Sequence, residues 1–526
     1  MDMFSSLKSM LSDADDTTKR HLRCPAADKP HIGELKERLG SFAPYDYNTA
    51  QVYRYRKMYG VNVGSMFCLE PWISTEIYKP YTEGKENPPE SEGDLIECMG
   101  SEAKQKMEAH WESWIQRGDF ERMASIGINT VRLPIGWWVL GPGFTQGLYE
   151  KHAEVYRNAL FYLGRVLRWA EEFQIGVLLD IHAIPGGQNN DSHSGITGKP
   201  LFYQNSACQE LTLQCYSALT MLVSDITHVV GLQIINEPLD DPMLEGFYYR
   251  AIQTIRAISR SLPIYIGDAW STEKYAKFTG NMLVQFGMIV LDTHRYWVFM
   301  PREQQERVPE LARKLWEDVK PELERYNADA RGNLIIGEYS AVLANPSFEG
   351  EDPAKCMGDF VRHQMAAFEQ VSAGTFYWTW RLQYDSWFWS FQYSLDQGVV
   401  PPEYFPFAWR KDNDQRSDVA RMAEENRVEW RDRRLNGHSE YWSSQGGEYR
   451  FDLFAAGFDM GLSAAIFFYT KLDMPSKIGF VQQLASEHAR HHVATHGGEQ
   501  WQWEYEHGFS EAQQEFEAFT TAKNKK

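Results

Sequence analysis

Eight short apolar runs, each followed by a longer stretch of helical spacing, constrain this chain more than any other feature of its 526 residues. The runs are YGVNVGSMF (59–67), INTVRLPIGWW (128–138), IGVLLDIHAI (175–184), VVGLQIINEP (229–238), LPIYIGDAW (262–270), MIVLDTHRYW (288–297), NLIIGEYSAV (333–342) and GTFYWTWRLQ (374–383). They are apolar almost throughout rather than at alternate positions, the pattern of strands covered on both faces. Between them lie segments such as EAHWESWIQRGDFERMASIG and PELARKLWEDVKPELERYN, which repeat their apolar residues at helical intervals. Eight strand-then-helix units predict an α/β protein built on a closed (β/α)8 TIM barrel. An open doubly wound sheet would carry a Gly-rich GxGxxG turn after its first strand, and the chain has none.

The rest of the chain divides around that barrel. Residues 1–50 are polar and punctuated by Pro25, Pro30 and Pro44, and read as an N-terminal arm. Residues 51–410 hold the barrel, with a Pro/Gly/Glu-rich surface loop expected at 80–100. Residues 411–526 are rich in charged and aromatic residues and predict a helical C-terminal extension packed on the barrel.

Charge and cysteine usage exclude several roles. The net charge is −19 and no long basic stripe interrupts it, so neither nucleic acid nor an anionic membrane surface is an expected partner. Six scattered cysteines without a CxxC pair supply neither a zinc knuckle nor a redox motif, and imply free thiols in a reducing compartment. The opening MDMFSSLKSMLSDADD lacks the apolar core of a secretion signal, so cytoplasmic residence is expected and the sequon at Asn190 is read as chance. The most apolar later stretch, Phe454 to Thr470, is short and contains Asp459, so no membrane span is expected. Nothing in the pattern fixes an oligomeric state.

In a barrel the active site lies at the carboxyl ends of the strands. Polar residues gather there: Arg132, His182, Asn236 with Glu237, His294 with Tyr296, Glu338 and Trp380. Taken singly, each has a structural explanation, such as a satisfied core histidine or a helix-capping carboxylate. Their coincidence at one end of successive strands is not a packing pattern. Glu237 ends the fourth run and Glu338 the seventh, which brings two carboxyls into one cleft. Glycoside hydrolysis needs such a pair: an acid to protonate the leaving oxygen, and a carboxylate to attack the anomeric carbon or activate water. Asn236 is placed to bond a sugar hydroxyl, and Arg132 and Tyr296 to hold Glu338 ionised. His182 and His193 with Asp191 lack the spacing of a metal site, so neither a metal nor another cofactor is expected.

The ordered set VRLP, DIH, NEP, DTHRY, GEY and WTW resembles family 5 of the glycoside hydrolases, in clan A. YGVNVGSMFCLEPWI and DIHAIPGGQN resemble more narrowly its fungal exo-β-1,3-glucanase branch, and the likeness runs from residue 55 to about 400. The resemblance implies Glu237 as acid/base and Glu338 as nucleophile of a retaining reaction. It also implies that Arg132, His182, Asn236, His294, Tyr296 and Trp380 line the subsite of the cleaved sugar, and that Glu70 contacts the terminal sugar of an exo-acting enzyme. The chain departs from the secreted glucanases in its opening residues and in the NDSHSG loop after Gln188-Asn189. Its helical tail makes it more similar to intracellular fungal members.

The expected activity is therefore hydrolysis of β-glucosides, with aryl or flavonoid glucosides and β-glucan oligosaccharides as small-molecule substrates. A β-diglycosidase releasing an intact disaccharide such as rutinose is the first alternative. A steryl or ceramide β-glucosidase, using the aromatic run 384–393 as an apolar entrance, is another. A non-catalytic carbohydrate-binding protein would be expected to have lost one of the two glutamates, and both are present.

Overall fold

The computed structural model describes residues 32–145, 147–401 and 414–524. Its strands are β1 (Met58–Asn62), β2 (Thr130–Gly136), β3 (Gly176–Ala183), β4 (Val229–Gln233), β5 (Ile264–Gly267), β6 (Ile289–Arg295), β7 (Leu334–Tyr339) and β8 (Gly374–Tyr377). They form a closed parallel barrel in sequence order, sealed where β1 pairs with β8 from Met58–Gly374 to Val61–Tyr377. Seven strands fall inside their apolar runs and β1 begins one residue before its own, at Met58; nearly every strand residue is buried, as two-sided cover requires.

Side chains alternate along each strand, so the barrel interior fills in layers. The layer at the amino ends is apolar: Met58, Leu178, Val230, Tyr265, Val290, Ile335 and Phe376. Four C-terminal helices lie beneath it: α1 (Asp414–Gln445), α2 (Phe451–Lys471), α3 (Val481–His496) and α4 (Gln502–Asn524). Phe468, Leu472, Ile478, Phe480 and Leu484 join that apolar layer in one cluster, so the extension closes the amino end of the barrel. Main-chain bonds fasten it. Lys57 N–H donates to Lys477 O, Gly479 and Phe480 N–H donate to Tyr55 O, and Arg56 forms an antiparallel bridge with Ile478.

Among the described residues, α2 is the one helix long and apolar enough to cross a membrane by length and composition. Its apolarity is used inside the protein. Leu453, Phe454, Phe458, Leu462 and Phe468 are buried. Gly457 and Gly461 let the α4 backbone approach directly: a Cβ on Gly457 would sit 2.0 Å from Tyr505 O, and one on Gly461 2.5 Å from Phe509 O.

Two segments are more ordered than their composition suggests. Part of the N-terminal arm is helical at Ile32–Leu39 and from Tyr47 to Tyr55, and Leu35 and Leu39 are buried in the main core. The expected 80–100 loop is irregular only in its first half. Glu92–Met99 is a helix, started by a reciprocal capping box between Ser91 and Asp94. The expected division at 410/411 lies outside the described residues.

Candidate active site

With the amino end closed, polar side chains occupy the upper barrel. Arg132 on β2 is fully buried and organises them. Its Nε donates to Gln233 Oε1 at 2.9 Å, Nη1 to Asn62 Oδ1 and Glu338 Oε1, both at 2.9 Å, and Nη2 to Asn236 Oδ1 at 2.7 Å. Asp180 Oδ2 lies 3.1 Å from Nη2 and Asp292 Oδ2 3.6 Å from Nε. A buried guanidinium needs such partners, because an unpaired one would carry the full cost of desolvation. Asp292 has room because β7 carries Gly337 beside it: a Cβ there would lie 2.0 Å from Asp292 Oδ1.

The two glutamates stand above Arg132. Register shifts in the β6–β7 ladder at Thr293/His294 and in the β7–β8 ladder between Ile336 and Tyr339 re-aim the strand ends, and His294 is paired with Glu338. Glu237 follows β4 with a φ of +42°, a left-handed conformation unusual for a residue with a side chain. Its Oε1 lies 2.7 Å from His294 Nδ1. Glu338 Oε2 accepts from Tyr296 Oη at 2.7 Å. Glu237, His294 and Glu338 each bring one atom within 4.8 Å of the others, so oxygens of the two carboxyls approach that closely.

Charge in this trio is shared. Burial pushes Glu237 up, but the hydrogen bond and charge of His294 outweigh it and hold the carboxyl well below its usual range. Burial, with the charge of Glu237, lifts Glu338 to about 7 against the charges of His294 and Arg132 and the Tyr296 hydrogen bond. Burial would lower His294, yet Glu338 and Asp292 keep it well above the ordinary imidazole range. These opposing directions favour the proton on His294, inside a 2.7 Å hydrogen bond to Glu237. Its passage to Glu237 leaves the pair's total charge unchanged, and Arg132 and Tyr296 then favour the carboxylate form of Glu338.

Around the pair, His182 Nδ1 lies 2.5 Å from Asp180 Oδ2 and its Nε2 lies 3.5 Å from Asn236 Nδ2. Burial keeps His182 well below the usual imidazole range and lifts Asp180 to about 6. Glu70 is buried, with Oε2 accepting from Trp72 Nε1 at 2.9 Å and Oε1 without a partner. Burial, reinforced by the charges of Glu338 and Glu237, raises it to about 8. A second set of possible cation-binding atoms comprises Asp191, His193 and Glu237, again within 4.8 Å. In both sets the imidazole is engaged in protein hydrogen bonds, His294 with Glu237 and His193 with Asn189.

The cleft thus brings together Arg132, His182, Asn236, Glu237, His294, Tyr296 and Glu338, with Glu70 beside them. Trp380 is not among them. Its Nε1 donates to Asp119 Oδ1 at 2.9 Å and its ring stacks on Phe391, outside the barrel interior. β8 ends at Tyr377, so the inward alternation of Phe376 reaches Trp378 and the chain then turns away. Trp378 lies parallel to His182 with ring centroids 5.5 Å apart, and is the tryptophan of this cleft. Sequence reasoning also passed over Asp180 and Asp292, although each precedes a cleft histidine by two residues and so shares its strand face.

Aromatic side chains surround the entrance. Trp389 contacts Trp72, Tyr296, Phe299 and Trp387 at centroid distances of 5.5–6.1 Å. Trp270 stands edge-on to His294 at 6.3 Å. Trp270, Phe299, Met300 and Trp387 are more than half exposed.

A family model described as Cellulase (glycosyl hydrolase family 5) matches residues 97–383, more than half of the chain. A second, Glucan 1,3-beta-glucosidase 3 C-terminal domain, matches residues 423–520. The Schizosaccharomyces pombe protein named Glucan 1,3-beta-glucosidase 3 is 30% identical over 446 residues, spanning 82% of this chain and 90% of its own. An uncharacterized glycosyl hydrolase of Saccharomyces cerevisiae is 27% identical over 501 residues, 90% of this chain and 93% of that one. Among solved structures, rutinosidase from Aspergillus niger superposes with a TM-score of 0.53 at 17% identity, covering 67% of this chain and 99% of that one. At that identity the likeness speaks to the fold.

Proposed function

The chain belongs to glycosyl hydrolase family 5 and is a retaining glycoside hydrolase, and from that membership we propose that Glu338 is its nucleophile and Glu237 its acid/base. The observation that carries this reading is that both carboxyls meet at one imidazole: His294 Nδ1 lies 2.7 Å from Glu237 Oε1 and 3.4 Å from Glu338 Oε2. Such closeness suits a direct displacement, in which the carboxyls stand about 5–5.5 Å apart, better than an inverting pair, which leaves about 6.5–9.5 Å for a water. Glu338 attacks the anomeric carbon while Glu237 gives its proton to the glycosidic oxygen. The carbon–oxygen bond breaks, the aglycone leaves, and a glycosyl ester remains on Glu338. Glu237, now a carboxylate, takes a proton from an entering water, whose oxygen displaces Glu338 from the sugar. Two inversions give net retention. His294 exchanges a proton with Glu237 between the steps, and Arg132 and Tyr296 stabilise Glu338 as its charge returns.

The substrate is a terminal β-linked glucosyl unit, released exo-wise from an aryl glucoside or a short β-1,3-linked oligosaccharide. The name of the Schizosaccharomyces pombe relative supports the linkage. The buried, half-unpaired Glu70 supports a polar wall against the terminal sugar. The exposed rings at the entrance favour an aromatic or apolar aglycone, because such surfaces stack on flat apolar groups. The five described cysteines form no disulfide with one another, which supports a reducing, cytoplasmic setting.

Replacing Glu338 by Gln is expected to abolish turnover. Glu237→Gln should cut kcat/KM by about 100-fold or more on substrates with poor leaving groups, and far less on activated aryl glucosides. An active Glu338→Gln enzyme overturns the assignment. An aryl β-glucoside and the matching β-rutinoside, with released sugars identified by mass, test the substrate: glucose from the glucoside alone is expected, and intact rutinose would make the enzyme a diglycosidase.

A further inference from the structure

Glu237 is held on its other side by a short loop after β3 that the mechanism above does not use. Asn189 makes three bonds there. Its Oδ1 accepts the Asp191 N–H at 3.0 Å, and its Nδ2 donates to Glu237 O at 2.9 Å and lies 2.8 Å from His193 Nε2. A main-chain N–H only donates and a main-chain oxygen only accepts, so these two contacts fix which end of the amide is nitrogen. The consequence passes to His193. Facing an amide N–H, its Nε2 must be the acceptor nitrogen, which puts the ring proton on Nδ1. That same Nε2 lies 3.5 Å from Glu237 Oε2.

The two oxygens of Glu237 therefore meet unlike imidazoles. Oε1 receives Nδ1–H from His294. Oε2 faces an acceptor nitrogen bearing partial negative charge. As a neutral ring His193 disfavours a second negative charge and favours O–H on that oxygen, whereas a protonated His193 would add its charge to that of His294 and hold the carboxyl down. Meanwhile the Asn189 bond to Glu237 O holds a residue whose φ of +42° needs a restraint.

We propose that Asn189 and His193 are positioning residues for the acid/base: Asn189 fixes the left-handed backbone of Glu237 and the tautomer of His193, and His193 favours the proton on Glu237 Oε2. This rests on the assignment of Glu237 as acid/base. The groups facing His193 are Glu237 after β4, Asp191 in its own loop, His182 edge-on at 5.0 Å, Asp180 beyond His182, and Cys68, whose Sγ donates to the His193 carbonyl. No cation among these stands between His193 Nε2 and Oε2.

The test compares the wild type with His193→Phe, Asn189→Ala and the double variant on phenyl and dinitrophenyl β-glucosides. For His193→Phe, the basic limb of the kcat/KM profile should move down by about one unit, since the acid form has lost its support. Turnover of the phenyl glucoside should fall about 10-fold, and that of the dinitrophenyl glucoside by less than about 3-fold. The limb shift of the double variant should be less than the sum of the single shifts, because both act through one nitrogen. An unmoved limb, or equal losses on both substrates, in a variant that melts like the wild type overturns the proposal. Should His193→Phe fail to fold, His193→Asn carries the same comparison. Glu237→Gln, measured alongside, separates the two readings. If it shows the leaving-group dependence and the loop variants do not, only this inference falls; if it does not, the acid/base assignment falls as well.

Discussion

Glu338 accepts two hydrogen bonds that differ in kind. Arg132 Nη1 brings a permanent charge, and Tyr296 Oη a neutral donor with no other partner in the cleft. Tyr296→Phe therefore removes a bond that favours the ionised carboxyl and leaves the guanidinium in place. A donor to the charged form lowers a carboxyl's pKa, so its loss raises it. The acidic limb of kcat/KM is expected to move up by about one unit and kcat to fall about 10-fold, read from a pH profile on an aryl β-glucoside. At this scale the sequence was legible where a residue ended a strand and opaque just beyond. Arg132, Asn236, His294 and Glu338 follow from counting along apolar runs. Trp378 was hidden behind Trp380 because a strand's alternation stops predicting direction once the strand has ended. His193 gave no signal beyond its type, since its role comes from an amide oriented by two main-chain groups.

The helix Glu92–Met99 shows how an element can tie stability to pH. Glu92 opens it and is buried, accepting from Tyr156 Oη at 2.6 Å and from Leu69 N–H at 2.7 Å, next to Glu70. Burial lifts its carboxyl from 4.5 to about 7, although those hydrogen bonds oppose the shift. The native state therefore holds this proton more tightly than the unfolded chain. Its contribution is greatest below about pH 4.5 and is lost as pH rises to about 7, by up to about 3 kcal/mol at 1.36 kcal/mol per unit. Glu92→Gln should flatten that part of the stability curve and melt higher than the wild type at pH 8. The pair α2 and α4 makes the opposite point about composition. A long apolar helix suggests lipid, but Gly457 and Gly461 open its face to another backbone. Gly457→Leu should lower stability by at least about 1–3 kcal/mol in chemical denaturation while the folded fraction keeps its activity. Strands were readable because two-sided burial marks every residue. Glu92–Met99 was not, because its Pro- and Glu-rich flank masks a helix whose start depends on one capping box.

For the whole molecule, the C-terminal helices are part of the barrel's core as much as its surroundings. Met58, Tyr265 and Phe376 have Phe480 and Leu484 as floor, and removing the floor would open an apolar face. Chains ended at residue 401 are expected to be insoluble or to bind a hydrophobic dye strongly, measured against the full chain at equal concentration. That the tail is helical was plain in the sequence. Which end of the barrel it covers was not, because that depends on contacts between Tyr55 and Gly479 that no local pattern announces. Those contacts also set a timetable. A ribosome finishes β8 roughly 100 residues before it delivers Phe480, a lag of about 5–20 s at about 5–20 residues per second. Until Phe480 emerges the nascent chain carries all eight strands on an incomplete floor. It is then a natural client for chaperones that shield greasy surfaces, and a chain stalled in that window is the form most prone to aggregate.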